Sequence, residues 1–319
     1  MSLTLRFLGT SASRPTVERN VSSLALVREG ETMLFDCGEG TQRQMMRYGI
    51  SFTFGDVFFS HFHADHLLGI IGLVRTMALQ GRTELLRMWG PKGAQRVLRR
   101  ATELGIDRVG FPVEVRELKP GEVIARNGFA IVPFAADHRG EPTLSYALVE
   151  EQRRGRFNPD LARELGIPEG PLWGQLHRGR AITLDDGRTI EPTTLVGPTR
   201  PGRKIVISGD TRPCDATVEA SLGADILVHE ATFAEEEAVR AHETGHSTAR
   251  GAATVAKRAG AKQLILTHFS ARYSRDPSVL LREAQEEFDR VILARDGMEV
   301  EVGYSAAPNE TAVSEARTS

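Results

Sequence analysis

Short apolar runs that end in glycine or a polar residue recur along the chain and predict β-strands. These runs cover residues 3–8, 23–27, 33–35, 57–60, 129–134, 144–149, 204–208, 226–228, 264–267 and 291–294. Between some of them, apolar residues recur with the spacing of an amphipathic helix. The predicted helices cover residues 41–48, 67–79, 92–104, 247–259 and 277–288. This mixture of strands and helices indicates an α/β fold.

One long stretch interrupts this rhythm. Residues 153–204 are rich in Gly, Pro and Arg, with Gly-Pro pairs at 170–171 and 197–198. Such dense turn signals predict an insertion, or arm, that projects from a core domain formed by the rest of residues 1–304. The last residues, 305–319, are small and polar, which is typical of a disordered tail.

A predicted strand runs into the most informative segment of the sequence, His61-Phe-His-Ala-Asp-His66. Because side chains alternate along a strand, His61 and His63 leave its end on the same face. The predicted helix that follows offers Asp65 and His66 from a second direction. Imidazole nitrogen and carboxylate oxygen are the ligands expected for Zn²⁺ or a similar first-row metal. The segment therefore predicts ligands for two neighbouring ions.

Three further strands run towards a polar side chain that can reach the same rim of a sheet. They lead to His138, Asp210 and His268. With the four earlier residues they make seven candidate ligands, enough for two ions if one carboxylate bridges. Taken alone, Asp210 is equally typical of a turn cap. The shared position after an apolar strand favours the ligand interpretation.

The composition adds limits on the function. The 319-residue chain is 40% hydrophobic and 26% charged, which excludes wholesale disorder, a collagen-like repeat and a coiled coil. Its 40 basic and 42 acidic residues give a net charge of −2, so a polyanionic partner must be recognised by a local patch. Residues 153–204 carry +4 and the rest of the chain −6. A local positive excess is what contacts to phosphate groups require.

Cysteine usage and hydropathy bear on the compartment. Cys37 and Cys214 are the only cysteines, which excludes a disulfide framework and favours a reducing environment. No apolar run approaches the ~18 residues that span a bilayer. The strand-like N-terminus lacks the apolar region of a signal peptide. We therefore expect a cytoplasmic protein with no membrane partner.

The ligand order, His-x-His-x-Asp-His followed by a later His, Asp and His, resembles the metallo-β-lactamase superfamily. That resemblance implies an αββα sandwich with a dinuclear metal site at the sheet edge. Further motifs are similar to the short form of ribonuclease Z, the family of tRNA 3′-processing endonucleases. They are Phe35-Asp-Cys-Gly-Glu-Gly-Thr-Gln-Arg-Gln44, Gly166-Ile-Pro-Glu-Gly-Pro-Leu-Trp-Gly-Gln-Leu176, His229-Glu-Ala-Thr232, Gly245-His-Ser-Thr248 and Leu266-Thr-His-Phe-Ser-Ala-Arg-Tyr273.

The family resemblance implies two Zn²⁺ per subunit, with Mn²⁺ as an alternative occupant. The first ion would be held by His61, His63 and His138, the second by Asp65, His66 and His268, with Asp210 bridging. The resemblance also implies catalytic roles for three residues. Asp65 accepts the proton of the attacking water, and His246, oriented by Glu230, assists departure of the ribose oxygen. A charged imidazole beside a poor alkoxide leaving group suits that chemistry. Without the family, His246 is only the residue before a helix cap.

The same resemblance implies contacts to precursor tRNA and a homodimer. The 153–204 arm corresponds to the family's flexible arm, the exosite for the tRNA elbow, and its motif contributes Gly170 and Pro171. Residues 15–20, Pro-Thr-Val-Glu-Arg-Asn, resemble a Pro-x-Lys-x-Arg-Asn loop that lies near the RNA 3′ end, with Val17 in place of the Lys. The remaining predicted substrate contacts are Arg19, Asn20 and Arg272.

The sequence therefore predicts a zinc-dependent endoribonuclease that removes the 3′ trailer of precursor tRNA, leaving a 3′-hydroxyl on the tRNA and a 5′-phosphate on the trailer. Two alternatives stay open. A lactonase, thioesterase or phosphodiesterase of the same fold explains the ligands but has no use for the arm. A tRNA-binding protein without catalysis has no use for the seven ligands.

Overall fold

The computed structural model describes residues 2–104 and 109–304. The tail predicted at 305–319 lies outside the described residues. The chain forms two units, one made of Met1–Val149 with Arg203–Gly303 and the other of Glu150–Gly202 with Tyr304–Ser319. Within the described residues, none of the helices has the length and apolar character needed to cross a membrane.

The larger unit contains two mixed β-sheets. The strands of the first are β1 (Leu3–Gly9), β2 (Ser23–Arg28), β3 (Glu31–Phe35), β4 (Asp56–Phe58), β5 (Leu86–Gly90), β6 (Val113–Glu117) and β16 (Glu299–Glu301). Their order across the sheet is β16-β1-β2-β3-β4-β5-β6. Strands β3 to β6 pair in parallel, so their carboxyl ends lie at one edge.

The second sheet is built from the later part of the chain. Its strands are β7 (Ile124–Arg126), β8 (Phe129–Ala135), β9 (Leu144–Glu150), β12 (Lys204–Ile207), β13 (Ile226–Glu230), β14 (Leu264–Thr267) and β15 (Val291–Leu293). Their order is β15-β14-β13-β12-β9-β8-β7, and β12 to β15 pair in parallel. The residues that follow β12 and β14 therefore lie at the same rim.

Helices cover the outer face of each sheet. Those on the first sheet are α1 (Thr41–Tyr48), α2 (Ala64–Leu67), α3 (Gly69–Leu79) and α4 (Ala94–Glu103). The later helices are α8 (Asp215–Ala220), α9 (Ala238–Thr244), α10 (Ala249–Ala259) and α11 (Ser278–Gln285), with 3₁₀ turns at Glu235–Glu237 and Ala271–Tyr273. Small residues let α10 pack closely on its sheet, and Gly260 ends it in a left-handed conformation. The predicted αββα sandwich is confirmed.

The core between the sheets contains an aromatic cluster at the end of β4. The Phe58 ring is fully buried and stacks on Phe35 at 5.2 Å and on Trp89 at 5.9 Å between centroids. Tyr146, from the opposite sheet, packs edge-on against Phe58 at 5.5 Å. Its hydroxyl donates a hydrogen bond to the Phe59 carbonyl at 2.6 Å. The strand end from which the ligand segment emerges is thus fixed by rigid packing.

We expect Phe58→Ala to lower the free energy of unfolding by about 3–5 kcal/mol, because it removes a buried ring that its rigid neighbours cannot replace. Urea unfolding followed by tryptophan fluorescence measures this. The control is Leu79→Ala, a side chain that is 88% exposed, with an expected change within about 0.5 kcal/mol. Equal effects of the two substitutions would contradict the packing argument.

The smaller unit is folded around its own core. It contains α5 (Pro159–Glu164), α6 (Pro171–His177), α7 (Pro192–Leu195) and a hairpin of β10 (Ile182–Thr183) and β11 (Thr189–Ile190). Its buried side chains are Ala162, Ile167, Leu176, Ile182, Ile190 and Leu195. The predicted limit at residue 204 extends into the larger unit, because Lys204 begins β12.

The observed bounds change the charge balance of this unit. Residues 150–202 contain eight basic and eight acidic residues, so the net excess predicted for 153–204 disappears. Much of the negative charge is paired locally, since Arg163 contacts Asp160 and Glu169. Within the described residues no carboxylate contacts Arg178 or Arg180, which follow α6 and are exposed. These two arginines therefore present unpaired positive charge on the segment after α6.

Candidate metal centre

The chain leaves β4 through Phe59 and Ser60 and brings His61 and His63 together. Nε2 of His61 lies 2.9 Å from Nδ1 of His63. The chain then enters α2, and the first turn of this helix carries Asp65 and His66, whose side chains lie at the same centre. β4 ends at Phe58, so His61 and His63 lie in the loop after the strand, and the course of this loop rather than strand alternation brings them together.

Three residues from the second sheet complete the centre, and they follow β8, β12 and β14. Their ligand atoms and those of the α2 segment form two groups, each with atoms within 4.8 Å of one another, and a third such group of Asp210, His246 and His268 overlaps both. The first group comprises His61, His63, His138 and Asp210, and the second comprises Asp65, His66 and His268. All seven predicted ligands are therefore brought together.

Asp210 lies between the two groups. Its Oδ2 is 3.6 Å from Nε2 of His61. Its Oδ1 is 3.4 Å from Nε2 of His66 and 3.3 Å from Nε2 of His268. Each carboxylate oxygen faces a different group, which is the arrangement that a bridging ligand requires.

Each ligand histidine is also held through the ring nitrogen that points away from the centre. These outer contacts join His61 Nδ1 to Ser60 Oγ (3.0 Å), His63 Nε2 to Glu141 Oε2 (3.0 Å), His66 Nδ1 to Asp36 Oδ2 (2.7 Å), His138 Nδ1 to the Gly245 carbonyl (2.8 Å) and His268 Nδ1 to Thr232 Oγ1 (2.8 Å). Contacts of this kind fix the tautomer and orientation of metal-binding histidines. Five inward nitrogens and two carboxylates fit a pair of divalent ions.

Two residues of the centre have left-handed backbones that non-glycine residues rarely adopt. The φ angles are 55° at Asp36 and 60° at His268. Asp36 accepts hydrogen bonds from the Ser60 amide at 2.7 Å and the Ser60 hydroxyl at 2.8 Å, besides its contact with His66. The surrounding contacts stabilise these strained backbone conformations. Backbone strain of this kind is common at functional sites.

The buried carboxylates of the centre favour their charged forms. Burial opposes the ionisation of Asp210, but the imidazoles of His268, His66 and His61 outweigh it and hold its pKa well below the usual range. Burial likewise opposes ionisation of Asp65, and His66 and His268 lower its pKa overall. Both carboxylates are therefore negative at neutral pH, as cation binding requires.

His246 and Glu230 form a pair at the edge of the centre. Nδ1 of His246 lies 2.9 Å from Oε1 of Glu230. The other carboxylate oxygen of Glu230 accepts hydrogen bonds from the amide (3.1 Å) and hydroxyl (2.8 Å) of Thr232. Burial disfavours the imidazolium, but attraction and hydrogen bonding to Glu230, with a smaller contribution from Asp210, raise the pKa of His246 to about 9. His246 is thus charged at neutral pH and 3.9 Å from Asp210.

The residues predicted to contact substrate have varied surroundings. Arg19 is buried, its Nη1 donates to Thr10 Oγ1 at 2.7 Å, and its guanidinium packs on the Phe269 ring. Arg272 contacts Glu237 and packs against Phe233. The backbone amide of Asn20 donates a hydrogen bond to the Asp296 carboxylate at 2.7 Å. In the smaller unit, Gly170 (φ 129°) precedes Pro171, which begins α6.

Sequence reasoning missed the outer partners. Asp36 directly follows the predicted strand 33–35, so the strand-end argument that found Asp210 applies to it equally. Thr232 ends the His-Glu-Ala-Thr motif, but the motif alone indicates no role for it. Glu141 lies in a loop with no sequence signal, and its contact depends on the turn that places it.

Comparisons with known proteins agree with this geometry. A model of the β-lactamase superfamily domain matches residues 31–194 and 175–269. The chain is 63% identical to ribonuclease Z of Gemmatimonas aurantiaca, over 96% of this chain and 98% of that protein. It is 47% identical to ribonuclease Z of Haloferax volcanii, over 96% of each. The crystal structure of the short form of human tRNase Z superposes with a TM-score of 0.68 and 29% identity, covering 94% of this chain and 99% of that one. The sequence resemblance is confirmed, and the chain belongs to the ribonuclease Z family within the β-lactamase superfamily.

Proposed function

We propose that the protein is an endoribonuclease that removes the 3′ trailer from precursor tRNA, leaving a 3′-hydroxyl on the tRNA and a 5′-phosphate on the trailer. The observation that carries the proposal is the double cluster of ligands beside the His246–Glu230 pair. Such a centre suits hydrolysis of a phosphodiester with a poor leaving group. Family membership supplies the substrate class.

The proposed cofactors are two Zn²⁺ per subunit, with Mn²⁺ as an alternative occupant. His61, His63 and His138 would hold one ion, Asp65, His66 and His268 the other, and Asp210 would contribute to both. When bound, the two ions supply Lewis-acid stabilisation of phosphoryl charge and activation of water. The numbers of nitrogen and oxygen ligands support a borderline metal of this kind.

Asp65 is the proposed proton acceptor for the attacking water. The backbone amide of Ser13 donates a hydrogen bond to Oδ2 of Asp65 at 2.6 Å, and this contact fixes the position of the carboxylate. His66 and His268 lower the pKa of this carboxyl despite its burial, so it is in the basic form. A fixed, ionised carboxylate is able to take a proton as the nucleophile forms its bond to phosphorus.

His246 is the proposed proton donor to the departing ribose O3′. Its Nδ1 is engaged by Glu230, which leaves Nε2 as the nitrogen available to a leaving oxygen. Protonation of O3′ yields the 3′-hydroxyl of the tRNA, and the phosphate stays on the trailer. Glu230 acts through His246 and is therefore a positioning residue.

We expect His246→Ala to reduce kcat for precursor tRNA about 10²–10³-fold, the usual contribution of a general acid. Hydrolysis of bis(p-nitrophenyl) phosphate should change little, because p-nitrophenolate leaves without a proton. Single-turnover assays on both substrates measure the difference. His242→Ala, an exposed histidine nearby, is the control. Equal losses on the two substrates would contradict the acid role.

The direct test of the proposed function uses purified protein with added Zn²⁺ or Mn²⁺ and a labelled precursor tRNA. Mapping of the new 3′ ends, with and without an encoded CCA, is expected to show one endonucleolytic cut near the discriminator nucleotide. Opening of lactones or thioesters with intact precursor tRNA would instead favour a small-molecule hydrolase of the same fold.

We further propose a homodimer in the cytoplasm. Both cysteines are free, which agrees with a reducing compartment. The homodimer rests on family resemblance, and sedimentation equilibrium over a range of protein concentrations tests it. A monomer at micromolar concentration would exclude a stable dimer.

A further inference from the structure

His63 has a partner unlike those of the other ligand histidines. Its Nε2 lies 3.0 Å from Oε2 of Glu141, while its Nδ1 faces the centre. The side chains of this pair are 42% and 48% exposed. The side chain of Asp36, the corresponding carboxylate partner of His66, is only 13% exposed. One ion site is therefore supported by a contact that solvent and small solutes reach.

The position of Glu141 is set by a tight turn that starts at a ligand. The Glu141 amide donates to the carbonyl of His138 at 2.9 Å. Arg139 and Gly140, between them, both have positive φ angles, 50° and 73°. This turn returns the chain beside the centre, so the carboxylate reaches His63 from the same loop that supplies His138. The loop thus supports two ligands of one ion, one directly and one through the Glu141 carboxylate beside His63.

We propose that Glu141 is a positioning residue that sets the affinity of the ion held by His61, His63 and His138, an inference that rests on the proposed two-ion centre. The carboxylate lies 3.0 Å from Nε2 of His63 and favours the tautomer that carries its proton on that nitrogen, so that Nδ1 has the inward lone pair. Outer partners of this kind typically change metal affinity 10–100-fold. The ion bound by Asp65, His66 and His268 does not depend on this contact.

The competing view is that the contact is an ordinary surface ion pair. Such pairs contribute little to folding stability. Glu141 also borders an open cavity of about 500 Å³, so shortening its side chain leaves no buried void. Under either interpretation, the metal-free Glu141 variants should fold normally. The two interpretations differ only in the metal affinity that they predict.

The test compares wild type with Glu141→Ala and Glu141→Gln, each stripped of metal and titrated with Co²⁺ against a chelator of known affinity. The Co²⁺ absorption spectrum reports the two sites without any substrate. In Glu141→Ala we expect one of the two ions to bind about 10–100-fold more weakly and its band to shift, while the other ion keeps its affinity. Glu141→Gln, which keeps an acceptor oxygen of the same reach beside Nε2 of His63, is expected to restore most of the affinity.

The matched control is Glu31→Gln, which removes one negative charge at the far end of β3 from Asp36. Melting temperatures of the metal-free variants establish that each is folded. Unchanged affinities and spectra in a folded Glu141→Ala would overturn the proposal, as would equal weakening of both ions. Wild-type protein that binds two ions but leaves precursor tRNA intact would count against the proposed function and not against the role of Glu141.

Discussion

Replacement of Asp65 by Ala is expected to lower kcat/KM for precursor tRNA by more than about 10⁴-fold, the upper range for loss of a general base. The substitution removes a proton acceptor and an anionic ligand at once. The Nε2 atoms of His66 and His268 lie 3.6 and 3.4 Å from Oδ2 of Asp65, and both imidazoles lose that negative partner. Catalysis and occupancy of the second ion site should therefore fail together.

Single-turnover cleavage and metal content of the same preparations measure this expectation. Asp65→Asn separates the two roles, because the amide keeps an oxygen ligand but is a poor proton acceptor. Asp215→Ala, an exposed carboxylate on α8, is the control for loss of one charge. Retained cleavage in a folded Asp65→Ala would overturn the proposed mechanism.

Removal of the arm is expected to lower kcat/KM for precursor tRNA about 10²–10⁴-fold, as when one of two linked binding modules is lost. The chain allows a clean deletion. Arg153 and Arg200 pair as an antiparallel bridge, with amide-to-carbonyl distances of 2.7 and 2.8 Å. An Asn-Gly turn in place of residues 154–199 can therefore close the ends as a hairpin.

The measurement is cleavage at several salt concentrations, beside hydrolysis of bis(p-nitrophenyl) phosphate. In the deletion variant, the plot of log kcat/KM against log salt concentration should be less steep than in the intact protein. The slope should fall by about 0.7–0.9 for each RNA phosphate that the arm neutralises. Hydrolysis of the small phosphodiester should continue. A double substitution, Arg178→Gln with Arg180→Gln, keeps the arm's core and tests its exposed charge. Equal loss on both substrates would contradict an exosite.

The fold was predictable where burial follows a simple period. The strand at 264–267 and the helix at 41–48 match β14 and α1. Strands β5, β6, β7, β10, β11 and β16 were not predicted. In β6 and β16 glutamates interrupt the apolar residues, and few or none of the side chains are buried. The arm was identified by its glycines and prolines. Its core was not, because isolated residues such as Ile167 and Leu176 show no period and meet only in the folded unit.

The site was predictable to the extent that it lies at strand ends. His61 and His63 lie in the loop that follows β4, and His268 lies directly after the apolar strand β14. The partners that orient them depend on side-chain geometry across the fold, as with Glu141 and Thr232. The net charge predicted for the arm does not hold for the observed unit, because both bounds differ. The unit includes Glu150 and Glu151 and excludes Arg203 and Lys204, and no sequence pattern marks either bound.

The last strand has a consequence for the order in which the protein is made. β16 joins the first sheet beside β1, although the second sheet lies between them in the chain. Asp296, just before it, binds Thr10, Gln44 and the amide of Asn20. These contacts anchor the loop whose Ser13 amide holds Asp65. The contacts that hold this loop therefore form only after synthesis has reached Asp296, and nascent chains that stop before that residue lack them even with every metal ligand already synthesised.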